Sequence, residues 1–248
     1  MRKQIVSNVT GRTGLSANAL IMCVAFLLSA CNDDPRADLR EIRQQIQRAY
    51  GTDDFMKGAS LAEQGLALAR KTVGGSSDDA LYFVQAASEN RIAMGDTRNA
   101  IAALKREISM RAAAGQTEDR LQTRRTLLIK LAEENGDLVT AADQAVEVAR
   151  GINMNFEKDP QPVYRTETAY PPELYRRRTE GDVEIAYSLD AGGAVTDARI
   201  ARSIPAQVFD QAALESFRKW RFTPMLDANG QPVPLSGRTF TLAFRMGR

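Results

Sequence analysis

The chain has 248 residues, 26% of them charged and 44% hydrophobic, with a net charge of +2 and both signs mixed along its length. That is ordinary for one or two globular domains and lacks the basic stripe of a nucleic-acid binder. It contains no histidine and only two cysteines, which argues against a zinc site or a His-activated nucleophile and leaves carboxylate-only catalysis as the sole enzymatic route. No cofactor and no metal is expected.

The amino terminus begins with the cations Arg2, Lys3 and Arg12, followed by a mostly apolar run from Leu15 to Ala30. Spanning a membrane takes roughly 20 apolar residues, so the run reads as a signal-peptide core. It ends Leu28-Ser29-Ala30-Cys31, an aliphatic residue and two small ones before a cysteine. This resembles the lipobox of bacterial lipoproteins. The resemblance implies cleavage after residue 30, lipidation of Cys31 and a short tether over 31–35. An ordinary secretory signal and an uncleaved anchor are the competing readings. A single acyl chain holds a protein only marginally, so stable anchoring takes more than one. In such lipoproteins an Asp directly after the cysteine retains the protein in the inner membrane. Here Asn32 stands there, with Asp33 next, so the expected address leans to the outer membrane, facing the periplasm.

Residues 36–150 read as helix. Three segments begin alike, at Asp54, Asp96 and Asp137, with successive starts 42 and 41 residues apart. Four, eight and twelve residues after each Asp come Gly58, Ala62 and Leu66; Ala100, Leu104 and Ile108; and Ala141, Ala145 and Ala149. That is one helical face of mostly small residues. Asp suits an N-cap, and Gly95 and Gly136 suit the left-handed turn before it. Helices over about 37–50, 78–94 and 118–135 precede the three starts, giving three helical hairpins. They resemble tetratricopeptide-like repeats with a period longer than 34 residues. A stack of hairpins offers a concave face to peptides or proteins; a plain helical bundle without a groove is the alternative.

Residues 151–163 read as a linker, with Pro160 and Pro162. The period then changes to two. Val183, Ile185, Tyr187 and Leu189 alternate with polar or small residues, "DAGGA" marks a turn, and Val195–Ser203 forms the second strand. Asp210 is expected to cap a helix, with Phe209 and Leu214 as a hydrophobic staple across it. Trp220 and Phe222 are expected in the core. Phe240, Leu242 and Phe244 alternate in a final strand. The fold class is therefore α+β and multidomain, with helical hairpins ahead of a β-β-α-β domain over 164–248. Arg176, Arg177 and Arg178 are a charge run, read as a solvated loop or a contact for an acidic partner or headgroup.

The residues of this last region resemble the carboxy-terminal domain of the TonB family. The matching pieces are Tyr170-Pro171, Glu180-Gly181, Gly192-Gly193, Ser203, Asp210 with Ala212-Ala213, "WRFTP" from Trp220 through Phe222 to Pro224, and Phe244. TonB proteins couple the inner-membrane proton gradient to outer-membrane transporters, and their terminal domain adds an extended transporter peptide to its sheet edge. The resemblance implies a partner-binding strand of Arg238, Thr239, Phe240, Thr241, Leu242, Ala243, Phe244 and Arg245. It also implies protein or peptide partners, an outer-membrane transporter among the candidates. The chain departs from the family in having no histidine, and helical repeats stand in place of a long Pro-rich spacer. A non-enzymatic binding lipoprotein is thus the first reading and an energy transducer the second, with oligomeric state left open.

Overall fold

The structure, a computed structural model, describes residues 34–246. Cys31, the apolar run and the proposed tether up to Asp33 lie outside the described residues.

Among the described residues six helices come first: α1 (Pro35–Gly51), α2 (Phe55–Thr72), α3 (Asp78–Ala93), α4 (Thr97–Ala113), α5 (Glu118–Glu134) and α6 (Leu138–Gly151). The repeated aspartates cap as expected. Asp54, Asp96 and Asp137 accept hydrogen bonds from the backbone N–H of Lys57, Asn99 and Thr140. Gly95 and Gly136 take the left-handed conformation before their caps (φ 71° and 75°), and the first hairpin uses Asp53 (φ 55°) for the same purpose. The small-residue face that recurs after each cap is buried throughout, from Gly58 and Ala62 to Ala145 and Ala149. Small side chains let the helices approach closely, and large ones from the facing helices fill the gaps. Phe83 of α3, fully buried, packs among Leu61, Leu66 and Val84. Full burial of such a side chain is worth about 1.5–3 kcal/mol.

A charged seam joins the second and third hairpins. Glu107 of α4 is completely buried and accepts from Arg111 (2.7 Å), from Arg124 of α5 (2.6 Å) and from the Ser88 hydroxyl of α3 (2.7 Å). Two guanidiniums on one carboxylate offset its desolvation, and removing one member of such a set strands the others.

The carboxy-terminal unit contains β1 (Pro162–Tyr164), α7 (Pro172–Arg176), β2 (Gly181–Leu189), β3 (Val195–Ile204), α8 (Asp210–Phe217), β4 (Arg221–Phe222), β5 (Met225–Leu226), β6 (Pro232–Val233) and β7 (Leu235–Phe244). The main sheet has the order β3-β2-β7, all antiparallel. β2 alternates buried and half-buried residues along its whole length, so one face is covered and the other is not. On the covered side Ala213 and Phe217 of α8 meet Val183, Ile185 and Tyr187. The Tyr187 and Trp220 rings lie 5.1 and 5.2 Å from that of Phe217, and Trp220 and Phe222 are buried core residues as expected.

Two expectations need correction. Asp210 does not cap α8. Phe209 holds the cap position, without a side-chain hydrogen bond, and Asp210 is the first helical residue. The reason is packing: Phe209 stacks on Phe244 with ring centroids 4.2 Å apart and meets the edge of Tyr170, and that anchorage starts the helix one residue early. Phe209 consequently cannot staple across the cap, because a staple needs the residue before it.

Nor is 151–163 a free tether. β1, which starts at Pro162 near its end, pairs with β4, and Thr223 donates its N–H to the Gln161 carbonyl. The segment is built into both units. Ile152 and Met154, with Ala149 of α6 before them, pack into the sheet-domain core, while Val163 and the following Tyr164 pack against Ile129, Ala141 and Ala145. Across the same boundary Arg221 donates to Glu133 of α5 at 2.5 Å and to the Gly192 carbonyl at 2.6 Å. The sheet domain therefore sits against α5 and α6, where a further hairpin would otherwise stack.

Candidate functional site

A three-stranded sheet has two outer edges, and each exposes backbone donors and acceptors. They differ here. β3 slips register twice against β2, between Glu184 and Ile185 and between Ala186 and Ser188. Asp197 within it has φ 48°. Arg218 reaches back to the Ala198 carbonyl at 3.4 Å. Irregularities and side-chain cover of this kind blunt an edge.

β7 is regular. Its ladder with β2 runs unbroken from Gly181↔Phe244 to Tyr187↔Arg238. On the side away from β2, no strand pairs with it and no backbone hydrogen bond reaches it from elsewhere among the described residues. Phe240, Leu242 and Phe244 turn toward the core, half-buried or buried, while Thr239, Thr241 and Ala243 are exposed. Arg245 closes the far end by donating to the Gly181 carbonyl and the Asp182 carboxylate.

The other sequence-predicted residues support this edge rather than line it. Tyr170 donates its hydroxyl to the Thr179 carbonyl and meets Phe244 edge-on. Pro171 caps the short helix α7. A Cβ on Gly181 would lie 2.6 Å from the Ile204 carbonyl oxygen, so β2 can start beside β3 only without one. Gly193 (φ 80°) closes the β2–β3 turn, and a Cβ there would lie 2.1 Å from the Phe222 carbonyl oxygen and 3.3 Å from Pro224. The Asp190 carboxylate finishes that turn by accepting from Gly192 and Ala194. Arg176 pairs with Glu173 on exposed surface, and Arg177 and Arg178 are exposed.

Sequence reasoning missed the cavity at the beginning of the β7 edge. It measures about 450 Å³ and is bounded by Asp159, Arg165, Tyr187, Arg238, Thr239 and Phe240. Arg165 lies over the Trp220 ring, 5.2 Å from its centroid, and Arg238 stands 3.6 Å from Asp159. Burial pushes the Tyr187 phenol above its ordinary value, with Arg238 opposing and Asp159 reinforcing the shift. The cavity forms only when residues more than 70 positions apart meet, so no local pattern announces it.

The fold and this edge define a class: a small sheet domain with its longer helix packed on one face and a regular pairing edge open on β7, carried on an array of helical hairpins. Residues 166–246 match the family described as the Gram-negative bacterial TonB protein C-terminal. The TonB protein of Yersinia enterocolitica is 32% identical over 88 residues, 36% of this chain and 31% of that protein. That of Xanthomonas campestris pv. campestris is 36% identical over 62 residues, 25% of this chain and 27% of that protein. The solution NMR structure of the Pseudomonas aeruginosa TonB carboxy-terminal domain aligns with 25% identity and a TM-score of 0.31, covering 37% of this chain and 90% of that one. The sheet unit is a TonB-type carboxy-terminal domain. The chain spans between a fifth and a third of the length of the curated relatives it matches, and its helical hairpins lie outside the matched region.

Proposed function

We infer that this protein is a non-enzymatic lipoprotein of the bacterial envelope that captures an extended segment of a protein partner as an added strand on β7. The observation that carries this reading is the β2–β7 ladder, unbroken from Arg238 to Phe244, whose outer side has no backbone partner among the described residues. Strand addition draws its affinity from main-chain hydrogen bonds along such an edge and its specificity from alternate side chains. The hairpin array, tetratricopeptide-like in its sequence, gives the domain a rigid mount and a second surface for proteins. The acyl chains on Cys31 would hold the assembly at the membrane, facing the periplasm. Among the described residues no helix is long and apolar enough to cross a membrane.

The test is amide exchange. Mild crosslinking in native membranes identifies a partner, and the complex is then compared with the free protein. Strand addition slows exchange in Arg238–Arg245 and leaves α8 little changed. Protection confined to the helical hairpins would move the docking site off β7 and refute the proposal.

A further inference from the structure

The cavity beside Arg238 continues the core-facing side of β7. Side chains alternate along a strand, so Arg238, Phe240, Leu242 and Phe244 share that side. A strand laid along the edge would place its own alternate side chains beside them, and the one level with Arg238 and Phe240 would enter the cavity. The lining holds two guanidiniums, Arg165 and Arg238, against one carboxylate, Asp159. Among the described residues Arg165 forms no ion pair, and Asp159 is mostly exposed, its side chain 83% accessible.

We propose that Arg165 and Arg238 form a carboxylate-reading subsite for an Asp or Glu side chain of the segment added to β7, and that Asp159 occupies its entrance as a built-in competitor. The proposal rests on strand addition at β7 and adds a specificity to it. The charges are complementary, since an incoming carboxylate would balance the excess guanidinium. The cavity has room for it, and guanidinium groups favour the paired hydrogen bonds a carboxylate accepts. The wall that carries Asp159 and Arg165 precedes the region matched to the TonB carboxy-terminal family. The subsite is thus a property of how this chain joins its two units.

The probes are acetylated heptapeptides alternating Thr and Val. One series carries a single Glu at each position in turn, and a matched series carries Gln. Affinity is read by fluorescence anisotropy on the full chain, and β7 engagement by amide exchange. At one position Glu should bind about two- to fivefold more tightly than Gln, the range of a partly exposed ion pair. Arg165→Gln and Arg238→Gln should each abolish that preference, and Asp159→Asn should tighten the Glu peptide. Arg165 touches the Trp220 ring, so Trp220 fluorescence checks that its variant is folded; Arg238→Gln tests the subsite without that contact. If peptides protect β7 but Glu equals Gln at every position, the subsite is refuted while strand addition stands. An unchanged affinity in Asp159→Asn refutes the competitor role. If no peptide protects β7, strand addition falls and the subsite with it.

Discussion

Glu133→Ala tests whether the helical and sheet units behave as one. Glu133 is 11% exposed and its partner Arg221 only 4%. In the variant Arg221 keeps one charge-free acceptor, the Gly192 carbonyl, and its charge stays buried. Stranding one member of a buried pair costs about 3–5 kcal/mol. A double variant, Glu133→Leu with Arg221→Met, removes both charges and should recover most of that loss. Trp220 is the only tryptophan in the chain and lies in the sheet-domain core, so its fluorescence follows that unit, while ellipticity at 222 nm follows the helices. Urea unfolding should give coincident transitions by both probes in the parent protein, and in Glu133→Ala both should shift or separate. Limited proteolysis should likewise leave the parent uncut between 151 and 163, and the variant should be nicked there. If Trp220 and the helices unfold separately in the parent, or the variant changes the Trp220 transition by less than about 0.5 kcal/mol, the ion pair does not couple the units.

Two further outcomes follow from single residues. Asp137→Ala removes the cap of α6 and should cost about 0.5–1 kcal/mol near neutral pH, the lower part of the range for caps because the carboxylate is a third exposed. Hydrogen bonds from the Thr140 hydroxyl and N–H hold the Asp137 carboxyl below its ordinary value. Its contribution is therefore complete above the unfolded value and lost as pH falls through the folded one. Urea titrations at neutral and strongly acidic pH should show the parent–variant difference shrinking on acidification, and an equal difference at both would contradict the assignment. Cys31→Ala should release the protein from the membrane fraction. Mass spectrometry of the mature amino terminus checks the same claim directly, and any terminus other than an acylated Cys31 would overturn it.

The helical hairpins were legible because their signals are local. Each second helix begins with Asp, carries a small residue four positions on and an apolar one at eight, and two of the three are preceded by Gly. Caps and left-handed turns act within a few residues, so a period of 41–42 could be read directly. The alternation of Val183 to Leu189 and of Phe240 to Phe244 was legible for the same reason. The failures are all long-range. β1, β5 and β6 are two or three residues each, too short for any pattern, and exist because a neighbouring strand supplies their partners. Asp210 looked like a cap, but the aromatic packing of Phe209 decided where α8 begins. Pro160 and Pro162 looked like a linker, yet the hydrophobic residues around them, Met154, Val163 and Tyr164, are claimed by two cores at once.

That shared segment has a mechanical meaning. A partner strand held on β7, as proposed, would load the ladder to β2, and from there the force would enter the helices through β1, the β4 pairing and the Arg221–Glu133 bond rather than through slack chain. The joint resists both sliding and bending, because an extended strand, an apolar patch and a buried ion pair would have to fail together. A partner on β7 would therefore be held at a fixed bearing and reach from the hairpin array, as by a bracket and not a leash.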